Sequence, residues 1–290
     1  MGFSVAAAKK RFGQNFLKDT TVLHKIIQSM PKTNRKLIEI GPGLGDLTQK
    51  LLEVKPLVVY EIDRDLCVYL RNKFCKEEVS GRFTLIDGDV LKQFKKGSLA
   101  KEPYDLVANL PYYIATTIIL EALRDPLCKS MVVMIQKEVA QKFAATSKSK
   151  EFTSLAILAG SIAKAEVLFD VGPESFDPKP KVTSSILRIE KEREFVKGDF
   201  PGAFESVEKL QMFEKYLRYS FKAPRKTWLK NISAQFERDK ADLLLKKYEF
   251  LLTIRPHEIS IAHHHLLFKE LTEGNINARE ESTRESNSQQ

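Results

Sequence analysis

Ile38-Glu39-Ile40-Gly41-Pro42-Gly43-Leu44-Gly45-Asp46-Leu47-Thr48 runs from a short β-like segment through three alternate glycines into an amphipathic helical stretch. Glycines so placed let a ligand come close to the backbone, and the first turn of the next helix offers unpaired amides to a polar group. The spacing is G-x-G-x-G, whereas a dinucleotide-binding fold carries G-x-G-x-x-G. A tight strand-to-helix turn that needs glycine only for its geometry is the competing reading.

Around this loop, β-like runs alternate with amphipathic stretches, the pattern of parallel strands joined by crossover helices. Strands are expected at Lys36–Ile40, Leu57–Glu61, Phe83–Ile86, Asp105–Asn109, Met131–Ile135, Ala165–Phe169 and Thr183–Ile189. Helices are expected at Leu44–Leu52, Arg64–Phe74, Ala115–Leu123, Lys137–Ala145 and Thr153–Ile162. In outline this is a doubly wound, Rossmann-like α/β sheet. After Glu190 the apolar residues recur at helical spacing through Phe204–Phe221, Lys226–Phe236, Ala241–Leu245 and His257–Leu271. The expected organisation is a catalytic α/β domain over 1–190, a small helical domain over 191–272 and a polar tail over 273–290, too poor in apolar residues to order itself.

The 290 residues are 43% apolar and 29% charged, which excludes a disordered or collagen-like chain. No apolar run is long enough to span a bilayer, and the opening MGFSVAAAKKRFGQNF lacks a secretory apolar core, so a soluble, cytoplasmic protein is expected. Cys67, Cys75 and Cys128 show no Cys-x-x-Cys spacing and support neither a disulfide framework nor a zinc site. Forty-seven Lys and Arg against 38 Asp and Glu leave a net charge of +9, which favours a polyanionic partner. The cations gather at Lys9, Lys10 and Arg11 and again in a late helical stretch that includes Lys222, Arg225 and Lys226.

Glu61 ends the second strand of the sheet, where a carboxylate can accept hydrogen bonds from both ribose hydroxyls of an adenosine-type cofactor. Asp89 closes the third and can accept from the adenine amino group, with a merely solvated turn aspartate as the alternative. A dehydrogenase and a methyltransferase both put adenosine across this crevice. The fourth strand separates them, because it ends in Asn109-Leu110-Pro111-Tyr112. An exocyclic amine of adenine becomes more tetrahedral and nucleophilic when two acceptors hold its two N–H groups. The Asn109 side-chain oxygen and the Leu110 or Pro111 carbonyl can serve, and Tyr112 can stack on the purine. No metal is required.

In this order the motifs resemble the ribosomal RNA adenine dimethyltransferases of the KsgA type, relatives of the erythromycin-resistance methylases. The resemblance runs from Arg11-Phe12-Gly13-Gln14-Asn15-Phe16-Leu17 through the glycine loop, Glu61, Asp89, Asn-Leu-Pro-Tyr and Gln136-Lys137-Glu138-Val139. It continues through Phe176-Asp177-Pro178-Lys179-Pro180-Lys181-Val182 to Pro224-Arg225-Lys226-Thr227, most of the chain outside the tail. It implies S-adenosylmethionine as cofactor, held by Asn15, Leu17, Gly41, Gly43, Glu61, Asp89 and Asn109. It also implies that Asn109, Leu110, Pro111, Tyr112 and Phe176 surround a flipped adenine, with Phe176 facing Tyr112. Lys9, Lys10, Arg11, Lys222, Arg225 and Lys226 would touch phosphates. The implied substrate is a pair of adjacent adenines in a hairpin loop near the 3′ end of small-subunit ribosomal RNA, in an immature 30S particle, modified by a monomer. Tyr113 departs from the family, which often has Asn or Gln there.

Three other readings stand beside this one: a large-subunit methylase of the resistance type, a non-catalytic ribosome-assembly factor, and a nicotinamide dehydrogenase. The glycine spacing argues against the last, and intact Asn109, Pro111 and Tyr112 argue against lost catalysis. His263, His264 and His265 point about 100° apart on a helix and cannot share one ion, so they are expected on a helix surface.

Overall fold

The computed structural model describes residues 14–195 and 204–272. Lys9, Lys10, Arg11 and the expected tail lie outside the described residues. Nine strands are seen among them: β1 (Phe16–Leu17), β2 (Lys36–Ile40), β3 (Leu57–Glu61), β4 (Phe83–Asp87), β5 (Tyr104–Asn109), β6 (Cys128–Gln136), β7 (Ala163–Val171), β8 (Phe176–Asp177) and β9 (Ser184–Lys191). Seven form one sheet in the order β4-β3-β2-β5-β6-β9-β7, and β1 pairs with β8.

The first five strands of the large sheet are parallel, and β9 runs antiparallel between β6 and β7. The parallel half was expected; the antiparallel insertion was not, because a strand's apolar run carries no direction. In β6 the run Met131-Val132-Val133-Met134-Ile135 is buried throughout, as a strand covered on both faces requires. Chain order reverses between β2 and β5, so the crevice at their carboxyl ends is the topological switch point where open sheets bind ligands. The glycine loop leaves β2 there, and Asn109 ends β5.

Two compact units are present, one reaching to Ala144 and resuming over Ala163–Glu192, the other formed by Ala145–Ile162 and the chain from Arg193. Helix Ser154–Ile162, expected within the sheet domain, therefore belongs to the helical unit. Its burial is nearly all-round, and it packs on helix Val207–Ser220. The helical unit also holds Trp228–Ile232, Arg238–Lys247 and a helix over 261–272.

The loop glycines have separable tasks. Gly45 has φ +78°, and a methyl group there would lie 2.7 Å from the Phe74 ring, which packs this loop against helix Arg64–Lys73. Gly43 has φ +58°, and a methyl group there would lie 2.8 Å from the Phe16 ring of β1. Gly45→Ala is expected to destabilise the fold by about 2–4 kcal/mol through left-handed backbone strain and overpacking. An unchanged urea midpoint would contradict that packing.

Candidate active site

A cleft of about 1210 Å³, counted to its open mouth, lies in the sheet unit at the carboxyl ends of its strands. Asn15, Leu17, Gly41, Gly43, Glu61, Asp89, Asn109, Leu110, Pro111 and Tyr112 all line it. Residues up to 97 positions apart in sequence thus meet as the spacing of the motifs anticipates, since Asn15 and Tyr112 share one wall.

Three local devices build this wall. β1 pairs with β8 through Phe16 opposite Asp177 and Leu17 opposite Phe176. Lys18 N–H donates to the Ser175 carbonyl at 2.9 Å, and Ser175 Oγ donates to Asp19 Oδ2 at 3.0 Å, while Asp19 Oδ1 caps helix Thr20–Gln28. The strand ends β3 and β4 pass into helices capped by Asp63 and Asp89. The Asn109 side-chain amide donates to the Asn15 carbonyl at 3.1 Å, which fixes its Oδ1 as the acceptor end.

The acceptors beside Asn109 are not equivalent. The Pro111 carbonyl accepts Ile114 N–H at 3.1 Å in the turn that opens helix Ala115–Arg124. Leu110 donates its N–H to Met134 across the sheet at 3.1 Å. Among the described residues no backbone N–H outside the regular elements donates to the Leu110 carbonyl, which makes it the better placed backbone acceptor for an amine. Tyr112 is half-buried, and its hydroxyl meets Ser184 Oγ at 2.7 Å.

Phe176 is placed differently from the expectation. Its side chain is 3% exposed, packed in the core with Leu17, Leu23 and Met134, and it does not line the cleft. Leu17, its partner in the strand pair, shares that cluster and also lines the cleft. Tyr113 does line the cleft, 59% exposed at the rim, and burial together with the Asp89 and Glu61 carboxylates raises its phenol above the ordinary range.

Two of the cleft carboxylates, Glu61 and Glu39, are buried, and Asp89 is partly exposed. Glu61, 5% exposed, accepts Ile62 and Asp63 N–H at 2.8 Å each through Oε1, and burial lifts its pKa to about 7. Asp89 uses Oδ1 to cap its helix at 2.9 Å, which accounts for the turn role and leaves Oδ2 for a ligand. Glu39 was not anticipated as a cleft residue. It is 1% exposed, accepts from Thr48 Oγ1 at 2.7 Å, and burial raises its pKa to about 8. The signal was present: an acid one residue before a strand's end, inside an otherwise apolar run.

This donor and acceptor set suits an adenosyl ligand. Glu61 and Asp89 can accept from ribose hydroxyls and an adenine amino group, apolar Ile40, Leu66 and Leu91 give walls for the ring, and the positive-φ glycines keep the loop backbone bare. S-adenosylmethionine fits the residues present. Among the described residues no cluster of His, Cys, Asp and Glu is arranged to hold a metal ion, and no helix is long and apolar enough to cross a membrane.

The histidine run is not the helix surface that was expected. His264 is 0% exposed, between Tyr216 Oη at 3.0 Å and the Pro256 carbonyl at 3.0 Å, and His265 meets Ser161 Oγ at 2.8 Å and stacks on Phe213. A 12-residue amphipathic helix buries one face, and here two of the three histidines fall on or near it.

The pKa of Glu39 carries a stability signature. Between its ordinary value of 4.5 and about 8 the folded chain keeps a proton that the unfolded chain releases, so rising pH lowers stability across that window. Glu39→Gln cannot ionise and keeps the Thr48 bond. It is expected to melt about 3 °C or more above the wild type at pH 8.5, with the gap closing towards pH 5. Parallel melting profiles for the two proteins would remove the buried, proton-holding carboxyl.

Residues 5–273 match the family described as "Ribosomal RNA adenine dimethylase". The chain is 45% identical over 268 residues, 92% of its length and 93% of the relative's, to ribosomal RNA small subunit methyltransferase A of Campylobacter curvus. It is 44% identical over 278 residues, 96% of each chain, to the protein of the same name from Helicobacter hepaticus. Among solved structures, a dimethyladenosine transferase from Plasmodium falciparum superposes with a TM-score of 0.67 at 23% identity, covering 90% of this chain and 98% of that one. The 23S rRNA methyltransferase ErmE gives 0.65 at 22% identity over 89% and 100%. At such identities these two establish the methyltransferase fold alone, whereas the match over nearly the whole sequence establishes more: the chain belongs to the ribosomal RNA adenine dimethylase family.

Proposed function

We propose that this chain transfers methyl groups from S-adenosylmethionine to the N6 amines of two adjacent adenines in a hairpin loop near the 3′ end of small-subunit (16S) ribosomal RNA. The product is N6,N6-dimethyladenosine, formed in an immature 30S particle by a cytoplasmic monomer as a step of small-subunit biogenesis. The observation that carries the reading is the Asn109 amide, held by Asn15 at the switch-point cleft of a chain 45% identical to small-subunit methyltransferases. The large-subunit alternative has only the fold-level likeness to ErmE behind it.

S-adenosylmethionine supplies an electrophilic methyl group when bound. The chain's own residues then have three tasks. Glu61, Asp89, Gly41 and Gly43, with Asn15 and Leu17 at the facing edge, hold the adenosyl ligand. Asn109 Oδ1 and the Leu110 carbonyl accept the two N–H bonds of the adenine amine, drawing its lone pair out of the ring. Pro111 holds the turn in which these acceptors sit, and Tyr112 offers its ring to the purine, a stacking contact of about 1–3 kcal/mol. The rate gain comes from positioning and from preorganised acceptors.

In the helical unit Lys222, Arg225 and Lys226 are exposed on one turn. The buried Asn231 side chain clamps that turn, accepting Ala223 N–H at 3.1 Å and donating to the Ala223 carbonyl at 3.0 Å. A rigid turn bearing three cations suits phosphate contact, which positions an RNA without reading its sequence. Lys9, Lys10 and Arg11 are assigned the same part.

Methyl transfer from labelled S-adenosylmethionine to unmodified small subunits, with nucleoside analysis, tests the reading. Dimethyladenosine in small-subunit RNA is expected, and product confined to large subunits, or RNA binding with no methyladenosine, would overturn it. Asn109→Ala is expected to lose at least about 100-fold in turnover while cofactor affinity changes by no more than about threefold. Cofactor affinity should rise about tenfold from pH 6 to pH 8 as Glu61 ionises, and Glu61→Gln should abolish that dependence. Replacing Lys222, Arg225 and Lys226 together by Ala should lower the salt slope of RNA binding by about 2. An unchanged slope would take that turn out of the interface.

A further inference from the structure

We propose that Tyr113 is a further cofactor-binding residue, whose ring covers the adenosyl part of S-adenosylmethionine from the cleft mouth. The inference rests on the cofactor reading above and gives a task to a side chain that departs from the family's usual Asn or Gln.

Tyr112 and Tyr113 are neighbours in opposite circumstances. Tyr112 is half-buried, and its hydroxyl meets Ser184 Oγ at 2.7 Å. Tyr113 lines the same cleft with its side chain exposed, and among the described residues its hydroxyl makes no hydrogen bond. One exposed ring on a protein surface needs no explanation by itself. Two further observations give this one a direction.

The first is the backbone that carries it. Pro111 Cδ lies 3.7 Å from where a Cβ at Gly41 would sit, so the turn rests against the glycine loop. Ile114 N–H closes that turn on the Pro111 carbonyl at 3.1 Å, and helix Ala115–Arg124 follows at once. Tyr113 is therefore anchored beside the loop by its main chain, with its side chain free to turn. The second is electrostatic. The carboxylates that bear on its phenol are Asp89 and then Glu61, the two groups assigned to the adenine amine and the ribose hydroxyls. Ile62, next to Glu61, also lines the cleft and is 45% exposed. The adenosyl end of the cleft thus offers an aliphatic and an aromatic side chain at its mouth, both suited to a flat purine. S-adenosylmethionine and its demethylated product, S-adenosylhomocysteine, share that adenosyl part, so the ring holds both alike.

Calorimetric binding of S-adenosylmethionine and of S-adenosylhomocysteine to the full chain, without RNA, tests this. Tyr113→Ala is expected to raise Kd about tenfold, by the same factor for both ligands. Tyr113→Phe keeps the ring and is expected to stay within about twofold of wild type. Because the side chain is exposed, the alanine variant hollows no core and should keep the wild-type urea midpoint. Unchanged affinity in Tyr113→Ala would overturn the proposal, and so would a tenfold loss in Tyr113→Phe, which would assign the contact to the hydroxyl. A second readout is the proton spectrum of bound S-adenosylhomocysteine. Its adenine protons should lie upfield in wild type and Tyr113→Phe, through the ring current, and less so in Tyr113→Ala. Equal shifts in wild type and Tyr113→Ala would place the ring elsewhere and overturn the contact. Binding is read without RNA, so a wild type that binds both ligands and methylates nothing strikes the functional reading, while the comparison of variants still decides this one.

Discussion

One hydrogen bond orders the rest of the site: the Asn109 side-chain amide donates to the carbonyl of Asn15, 94 residues earlier in the chain. A neutral bond of this kind contributes only about 1 kcal/mol net, so its importance is geometric. An asparagine side chain can present either its oxygen or its nitrogen. Tying the nitrogen to a carbonyl settles which end faces a ligand, and a methyl-accepting amine needs the oxygen. The same bond requires the segment Gln14–Leu17 to lie across the glycine loop. The β1–β8 pair and the Phe16 ring over Gly43 keep it there. Gly43 must be glycine because Phe16 occupies the place of a side chain, so the loop, the first strand and the Asn-Leu-Pro-Tyr turn form one constraint.

The second organising feature is the burial of two cleft carboxylates. Glu39 and Glu61 are both buried at strand ends, and burial holds each well above the ordinary carboxylate range. They differ in what satisfies them. Glu39 has a threonine hydroxyl and serves the strand-to-helix turn, whereas Glu61 has two backbone N–H groups at one oxygen. An ionised Glu61 is costly until a ligand brings donors of its own, which couples cofactor affinity to its protonation.

Much of this was legible because the chemistry sits in short contiguous runs. β2 and β3 have the bounds expected of them, and Asn109 and Glu61 fall at strand ends that local pattern alone places at the crevice. Asp89, expected to close β4, lies two residues past its end as the cap of the next helix. What local pattern cannot carry is partnership across the chain. Strand direction was lost for β9, since an apolar run reads the same either way. Helix Ser154–Ile162 was assigned to the sheet because its neighbours in sequence are there, yet its all-round apolar surface is satisfied in the helical unit. Phe176 was carried over as a ring facing the base, whereas it lies buried among apolar residues, Leu23 and Met134 included, that come from distant parts of the chain. His264 looked like one of three surface histidines until Tyr216 and the Pro256 carbonyl, from distant segments, supplied both its nitrogens with partners. The Tyr112–Ser184 bond belongs to the same class, for nothing near Tyr112 in sequence announces it.

The account stands most directly on Asn109 being latched by its donor end. Asn109→Asp keeps side-chain acceptors of the same shape and loses the N–H groups that hold Asn15. The measurement is methyl transfer to unmodified small subunits by this variant beside the wild type. A loss of at least about 100-fold is predicted, because a carboxylate repels the Asn15 carbonyl and the acceptor is no longer held in place. Transfer at the wild-type rate would mean that any acceptor at this strand end suffices, and would contradict the latch as the organising interaction of the site.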